Sequence, residues 1–341
     1  MTRFKVALVG LDGRDVPEWV PARFAAEQID FVVRECHSAE ELEASAGDAD
    51  VVWLFGGSRV ITKESIGVLR RCRAIVRTGS GVDNVPVRAA TERGILVAHT
   101  PQATSEGVSD HVVGLLLAVL RQIPKHDHAV RRGIWSREHG WPLGHLRGQT
   151  LGLIGFGTIA RLVARKLRGF ELTVLAHDPY VAADVFASHG ARPTSLDEVL
   201  SEADFLSLHC PLTRATYHLI GERELRLMKP TAMLINTARG AVIDEPVLVR
   251  ALSEGWIAAA GLDVLEQEPP APDNPLLRLD NVVLTPHVAG YSDEYLDLSW
   301  QLSVEAALAL AHGHWPRAYV NPEVTQRWGL APADRAGGSD A

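Results

Sequence analysis

TLGLIGFGTIA, residues 150–160, is the most informative stretch of this 341-residue chain. Its first five residues form an apolar run typical of a buried strand, and Gly155-x-Gly157-x-x-Ala160 follows as a glycine-rich turn. The first glycine permits a tight turn, the second lets the backbone approach a pyrophosphate, and the alanine lets a helix pack closely on the strand. Amides of the first helical turn would then face the anion. The stretch therefore predicts a strand, turn and helix that bind a dinucleotide.

An acid stands roughly twenty residues beyond this motif, as nucleotide-binding units of this kind require. Asp178 follows the next apolar run, where a carboxylate accepts hydrogen bonds from the adenosine ribose and repels a 2′-phosphate. No Arg or Lys occurs between Asp178 and Arg192, so we expect NAD rather than NADP. The competing interpretation is a turn-forming Asp before Pro179.

Short β-branched runs alternate with helical stretches along most of the chain, which indicates an α/β fold with parallel sheets. One series of runs precedes the glycine-rich turn and a second begins with it: 51–54, 74–76 and 95–97, then 150–154, 172–175, 205–208, 232–235 and 282–284.

The helical segments predict how these series form domains. Residues 104–121 read as a buried helix joining the two series, and a helix at about 293–312 follows the last strand. We expect the latter to return to the first domain. The prediction is a discontinuous domain of residues 1–101 and 293–330, a second domain of residues 102–292, and a disordered tail at 331–341.

Composition restricts the class of protein. The charge of −8 comes from 34 basic and 42 acidic residues without a long basic run, so we expect no nucleic-acid partner. The three cysteines lie far apart, which disfavours a disulfide framework and predicts a cytoplasmic protein. The sequence contains neither Cys-x-x-Cys nor His-Glu-x-x-His, so we expect no metal site. The longest clean apolar run, 112–120, is shorter than the about 20 residues that span a bilayer, so we expect no membrane partner.

Two basic side chains follow predicted strands at their carboxyl ends, where open α/β sheets hold ligands. Arg239 lies in NTARG (236–240), and a guanidinium can bind a carboxylate through two parallel hydrogen bonds. Alone, it reads equally well as a surface-turn arginine. His287 ends TPH (285–287), and histidine exchanges protons near neutrality. An acid would favour its protonated form, and by spacing either Glu266 or Glu268 could serve.

These motifs together resemble the D-isomer-specific 2-hydroxyacid dehydrogenases, and most closely the short phosphoglycerate dehydrogenase-like members. The resemblance covers nearly the whole chain through ordered matches: 77–85, 121–124, 155–160, 236–240, 261–264, 274–277 and 285–290. It implies two Rossmann-like domains, a flavodoxin-like substrate-binding domain and an NAD-binding domain. The implied activity is NAD-dependent hydride transfer between nicotinamide and C2 of a D-2-hydroxy acid or 2-keto acid.

The resemblance also implies roles for individual residues. Arg239, Glu268 and His287 would be catalytic, and Glu268 is selected over Glu266 because the family's catalytic glutamate directly precedes the proline. Ser80 and Gly81 would offer backbone amides to the substrate carboxylate. Implied cofactor contacts are Gly155, Gly157, Thr158, Ile159, Asp178, Cys210, Thr237, Ala238 and Asp263, the last facing the nicotinamide amide. A homodimer built on the nucleotide domain is implied, with the arm from Trp135 to Trp141 touching the partner.

Departures from the family pattern bear on the substrate. Members that act on phosphorylated substrates commonly carry an arginine in a Val-Arg-Ser box, where this chain has Phe55, which cannot pair with a phosphate. Arg59 and Arg77 remain candidates for binding a phosphate. The sequence therefore disfavours 3-phosphoglycerate as the substrate but does not exclude it. Ser80 replaces the lysine of phosphite-oxidising relatives, and Glu268 the glutamine of formate dehydrogenases, which disfavours both activities.

The expected substrate is therefore glyoxylate, hydroxypyruvate or a bulkier acid lying against Phe55 and Trp53. An alternative of another class is an NAD(H)-sensing, corepressor-like binding protein on the same scaffold. Retention of the arginine, glutamate and histidine does not separate the two. The lack of a basic run and the short tail disfavour the sensor.

Overall fold

The computed structural model describes residues 3–137, 143–326 and 329–331, and the chain forms two compact units. Unit 1 comprises Met1–Thr104 and Ser292–Ala341, and unit 2 comprises Ser105–Tyr291. The boundaries expected from the sequence are 101/102 and 292/293. The expected tail lies outside the described residues, apart from Ala331.

The described elements alternate along the chain as an α/β fold requires. The strands are β1 (Lys5–Leu8), β2 (Asp30–Val33), β3 (Val51–Leu54), β4 (Ala74–Arg77), β5 (Leu96–His99), β6 (Thr150–Ile154), β7 (Thr173–His177), β8 (Arg192–Pro193), β9 (Phe205–Leu208), β10 (Met233–Asn236), β11 (Ala259–Leu262) and β12 (Val282–Leu284). The helices are α1 (Trp19–Ala26), α2 (Ala39–Ala46), α3 (Val87–Glu92), α4 (Gln102–Leu120), α5 (Ile123–Arg131), α6 (Thr158–Leu167), α7 (Ala183–Ser188), α8 (Leu196–Glu202), α9 (Glu222–Leu227), α10 (Glu245–Glu254) and α11 (Tyr295–Ala311).

Unit 1 is built on a parallel sheet with the order β2-β1-β3-β4-β5, the flavodoxin-like order. Helix α11 packs on this sheet through Trp300, whose ring lies 5.3 Å from that of Trp53. The indole of Trp53 has no exposed surface and donates a hydrogen bond to Thr78 Oγ1 at 2.8 Å. The expectation that a substrate lies against Trp53 is therefore wrong, because this side chain is part of the core. Phe55 keeps some exposed surface.

Unit 2 is built on a parallel sheet with the order β12-β11-β10-β9-β6-β7-β8. The order reverses between β6 and β9, and ligands of such sheets bind outside the strand ends at this switch point. Helix α6 follows β6 directly and buries Ala160, Val163 and Leu167 in the core. The predicted fold class, two Rossmann-like parallel-sheet domains, is confirmed.

Helix α4 is long and apolar enough, by length and composition alone, to cross a membrane. The mean hydropathy of its most apolar 18-residue window is 1.2, and this window is longer than the uninterrupted apolar run of residues 112–120. Half of that window is buried inside the fold, and Val112, Leu115 and Leu116 belong to the core of unit 2. Core helices pass the same test, so the feature is weak evidence for a membrane span.

Candidate active site

The glycine-rich turn of unit 2 is shaped by two glycines with different surroundings. Gly155 has φ +88°, and a Cβ there would lie 2.8 Å from the Cys210 nitrogen. The absence of a side chain therefore lets the turn after β6 pass close to the main chain after β9. Gly157 is exposed at the N-terminus of α6, and a Cβ there would meet no atom within 4 Å. Thr158 and Ile159 begin the helix. The backbone at Gly157 is thus open to a pyrophosphate, as the motif requires.

Asp178 is anchored on this turn. Its Oδ2 accepts a hydrogen bond from the Phe156 amide at 2.8 Å, and its Oδ1 accepts one from the Tyr180 amide at 3.0 Å. The second bond is the turn contact of the competing interpretation, and the first ties the carboxylate to the glycine-rich turn. Asp178 therefore stabilises the turn at Pro179 and Tyr180, and it also contacts the glycine-rich turn.

The two residues directly after β9, His209 and Cys210, are electrically neutral at physiological pH. Burial raises the pKa of the Cys210 thiol to about 11, with the charge of Asp178 acting in the same direction. Burial lowers the pKa of His209 to about 4, and its Nε2 lies 2.9 Å from Ser207 Oγ. Cys210 is thus a protonated thiol, which is not a nucleophile. The sequence reasoning did not single out His209.

Arg239 is presented by a turn that Asn236 organises. Asn236 ends β10, and its side chain accepts a hydrogen bond from the Ala238 amide and donates one to the Arg239 carbonyl, both at 2.9 Å. The guanidinium of Arg239 is partly buried and donates through Nη1 to the Ala238 carbonyl at 2.7 Å. Thr237 and Ala238 are partly buried in the same turn.

Gly240 brings the arginine turn against the loop that carries the two glutamates. A Cβ at Gly240 would lie 1.9 Å from the Leu265 carbonyl carbon and 2.3 Å from the Glu266 nitrogen. Only glycine permits two main chains to approach this closely. The backbone contact fixes Arg239 relative to the loop from Leu265 to Glu268.

Glu268 and His287 form a hydrogen-bonded pair, with 2.7 Å between Oε2 and Nδ1. The other carboxylate oxygen accepts a hydrogen bond from the Leu265 amide at 3.0 Å. Burial tends to raise the pKa of Glu268, but the hydrogen bonds from His287 and Leu265, with the charges of His287 and Arg239, hold it below its usual 4.5. Because a carboxylate only accepts, Nδ1 of His287 carries hydrogen, and Nε2 remains for proton exchange.

Glu266 points to a different histidine. Its Oε1 lies 2.7 Å from Nε2 of His218, whose Nδ1 lies 3.7 Å from Asp244 Oδ2. Geometry therefore distinguishes the two glutamates that spacing alone left equivalent. No feature of the sequence marked His218 as a partner for this loop.

Asp263 supports the segment that carries His287. The buried carboxylate accepts hydrogen bonds from the Val288 amide at 3.0 Å, the Ala289 amide at 2.9 Å and the Thr285 hydroxyl at 2.6 Å. These three partners all belong to unit 2, and the expected contact of Asp263 with the nicotinamide amide stays a prediction.

The two substrate residues expected in unit 1 follow β4. The Ser80 carbonyl accepts a hydrogen bond from His99 Nδ1 at 2.8 Å, which fixes the peptide between Ser80 and Gly81. Arg77 is engaged locally, with Nη1 2.6 Å from the Thr78 carbonyl and Nε 3.3 Å from Asn84 Oδ1. The arm from Trp135 to Trp141 is only partly described, because residues 138–142 lie outside the described residues.

Comparisons with known proteins identify the family of this chain. Residues 113–289 match the model of the NAD binding domain of D-isomer specific 2-hydroxyacid dehydrogenases. A glyoxylate reductase of Korarchaeum cryptofilum is 43% identical over 75% of this chain and 78% of the relative. A D-3-phosphoglycerate dehydrogenase of Methanocaldococcus jannaschii is 40% identical over 84% of this chain, which spans only 55% of that relative.

A solved structure is similar throughout. The D-lactate dehydrogenase of Aquifex aeolicus, complexed with NAD and lactic acid, has a TM-score of 0.79 and 30% identity, over 90% of this chain and 96% of that one. The resemblance read from the sequence is therefore confirmed. The chain belongs to the D-isomer-specific 2-hydroxyacid dehydrogenases and is an NAD-dependent enzyme that acts on CH–OH donors.

Proposed function

We propose that this enzyme interconverts a small 2-keto acid and its D-2-hydroxy acid, with His287 as acid and base, Glu268 as its orienting partner and Arg239 as the carboxylate ligand. The observation that carries the proposal is the 2.7 Å bond between Glu268 and His287, with the charge of Arg239 acting on the same carboxylate. This arrangement combines a cation, an acid–base group and an orienting carboxylate in one unit.

In the reducing direction, NADH held at the glycine-rich turn by Gly157, Thr158 and Ile159 would supply the hydride that reduces C2 of the keto acid. His287 delivers a proton from Nε2 to the ketone oxygen, since Nδ1 is held by Glu268. The ionised Glu268 stabilises the imidazolium before transfer, because an opposite charge favours the charged form. Arg239 binds the substrate carboxylate and polarises the carbonyl. In the oxidising direction, His287 accepts the proton.

The cofactor contacts are proposed from the surroundings of the switch point. The open backbone at Gly157 and the amides of Thr158 and Ile159 suit a pyrophosphate, and Gly155 lets the chain pass Cys210. Asp178 would accept the ribose hydroxyls. We further propose that Thr237, Ala238 and Asp263 contact the nicotinamide half.

Asp178 also supports a preference for NAD over NADP. Both carboxylate oxygens are tied to backbone amides, so the negative charge cannot rotate away from a 2′-phosphate. A fixed carboxylate beside a phosphate costs electrostatic energy in this partly buried setting.

The substrate is proposed to be glyoxylate or hydroxypyruvate, with Ser80 and Gly81 offering amides to its carboxylate. Phe55 is uncharged and packs on Trp300 with ring centroids 4.4 Å apart, and Arg77 is engaged by its own loop. These contacts disfavour 3-phosphoglycerate. The activity named for the 43% identical relative, glyoxylate reductase, supports the choice.

We also propose a cytoplasmic homodimer that forms through unit 2. Four apolar side chains near α5 are exposed, namely Ile123, Val130, Ile134 and Trp135, the last with 86% of its surface accessible. Exposed apolar patches commonly mark protein interfaces. The buried free thiols of Cys36, Cys72 and Cys210 fit a reducing compartment. A monomer by light scattering would contradict the dimer.

The proposed function is tested by NADH oxidation with a panel of 2-keto acids, run beside NADPH. We expect glyoxylate or hydroxypyruvate to give the highest kcat/KM, above 3-phosphohydroxypyruvate, and NADH to be preferred over NADPH. Tight NADH binding without turnover on any acid would instead favour the sensor. A preference for NADPH would contradict the role of Asp178.

A further inference from the structure

His111 of α4 lies behind the segment that carries His287. Its Nε2 is 2.9 Å from Thr285 Oγ1 and 3.6 Å from Asp263 Oδ1. The Thr285 hydroxyl is in turn 2.6 Å from the same Asp263 oxygen. The carboxylate of Asp263 is almost fully buried, and the side chain of His111 is 23% exposed. The three side chains form a continuous, largely buried hydrogen-bonded set.

The direction of each hydrogen bond follows from what the groups can donate. Asp263 accepts two backbone amides as well as the threonine, which is the behaviour of an ionised carboxylate. Thr285 therefore gives its single hydroxyl hydrogen to Asp263, and its oxygen must accept from His111. Nε2 of His111 consequently carries a hydrogen.

Asp263 connects these three side chains to the main chain of His287. The His287 amide donates to the Asp263 carbonyl at 2.8 Å, and the next two amides bind the Asp263 carboxylate. His287 itself has φ +55°, in the left-handed region that non-glycine residues rarely adopt. Such conformations persist where the surrounding structure fixes them, and they cluster at functional sites.

We infer that His111 and Thr285 are positioning residues that act through Asp263. His111 and Thr285 hold the Asp263 carboxylate in one orientation. In that orientation, Asp263 keeps the His287 main chain left-handed and the His287 ring against Glu268. The inference rests on the proposed role of His287. It assigns no contact with substrate to either residue.

The test measures kcat, KM for the keto acid and Kd for NADH in His111→Ala and Thr285→Val. We expect kcat to fall about 10- to 100-fold, the effect of a slightly misplaced catalytic group. The Kd for NADH should change by a smaller factor than kcat, because the proposed pyrophosphate and ribose contacts are left intact. His111→Gln keeps an N–H near the Nε2 position and Thr285→Ser keeps the hydroxyl, so both should recover most of the kcat. His312→Ala is the matched control, since His312 follows α11 in unit 1, is half exposed and lies 3.3 Å from Glu27, so its removal should leave kcat unchanged.

Wild-type kcat in both His111→Ala and Thr285→Val would overturn the inference, as would an equal loss in the Gln and Ser variants. If His111→Ala does not fold, the Thr285→Val and Thr285→Ser pair decides alone. His287→Ala separates this failure from that of the proposed function. Normal turnover in His287→Ala would refute the catalytic role, whereas an inactive His287→Ala beside active His111→Ala and Thr285→Val would refute only the positioning role.

Discussion

Two histidine–glutamate pairs meet on one loop of unit 2, and they differ in which ring nitrogen is held. His287 pairs with Glu268 and His218 pairs with Glu266, each at 2.7 Å, and both histidines have left-handed backbones, with φ +55° and +51°. Glu268 holds Nδ1 of His287, and none of the described residues is hydrogen-bonded to its Nε2. In contrast, Glu266 holds Nε2 of His218, and Asp244 lies 3.7 Å from its Nδ1.

This difference separates a proton-exchanging histidine from a structural one. The His218 ring faces acids on both nitrogens, stacks on Tyr217 with centroids 4.0 Å apart, and its side chain is 28% exposed. The His287 side chain is 49% exposed and keeps one nitrogen for a ligand. A short His–Glu distance alone therefore does not identify an acid–base group, because the second nitrogen must also be available.

The largest expected effect in this comparison is that of His287→Ala. Removing the proposed acid–base group should lower kcat by about 10² to 10⁴ while NADH still binds, measured by steady-state kinetics and NADH fluorescence. The matched control is His218→Ala, which removes the same ring from the other pair and should retain most activity. A comparable loss in both variants would break the distinction between the pairs.

Glu268→Gln should have the next largest effect. The amide keeps the shape but loses the charge that stabilises the imidazolium, so kcat should fall about 10- to 100-fold, the value of a charge-assisted hydrogen bond.

The pH profile sharpens the same prediction. The pKa of Glu268 is lowered, so the carboxylate stays ionised below pH 4.5, and its contribution is lost only as pH falls through that depressed value. Above pH 4.5 the wild type should therefore show no titration of this group in kcat/KM. A Gln variant with wild-type kcat between pH 5 and 8, taken at roughly unit steps, would show that Glu268 does not act on His287.

Glu266→Gln should have the smallest effect. Glu266 holds His218 and not His287, so kcat should stay within about threefold of wild type, since a partly exposed pair contributes little. The variant differs from Glu268→Gln by only two positions on one loop. A loss that exceeds that of Glu268→Gln would reverse the assignment.

Much of the fold and part of the site follow from the sequence for identifiable reasons. Strand runs and the glycine-rich turn are local patterns, so both sheets could be predicted. Arg239 and His287 could be proposed because each follows a parallel strand, whose carboxyl end is where ligands bind. Glu266 and Glu268 could not be separated by spacing, since either side chain can reach; hydrogen bonds distinguish them.

Other features depend on tertiary contacts that no local pattern encodes. Trp53 was expected near the substrate, but its strand is buried on both faces. His218 gave no signal. His111 did give one, because helical spacing places it on the same face of α4 as Val108 and Leu115. A polar ring buried on such a face must find a hydrogen-bond partner. That partner, Thr285, lies 174 residues away in sequence.

The contact between Gly240 and Leu265 gives this site an unusual mutational property. A methyl group at Gly240 would fall 1.9 Å from the Leu265 carbonyl carbon, so one of the two main chains would have to move. The first carries the cation of Arg239 and the second carries the acid of Glu268. Substitution of Gly240 would thus displace Arg239, Glu268 or both, although Gly240 itself has no side chain. A single substitution outside the charged residues can therefore change the distance between them.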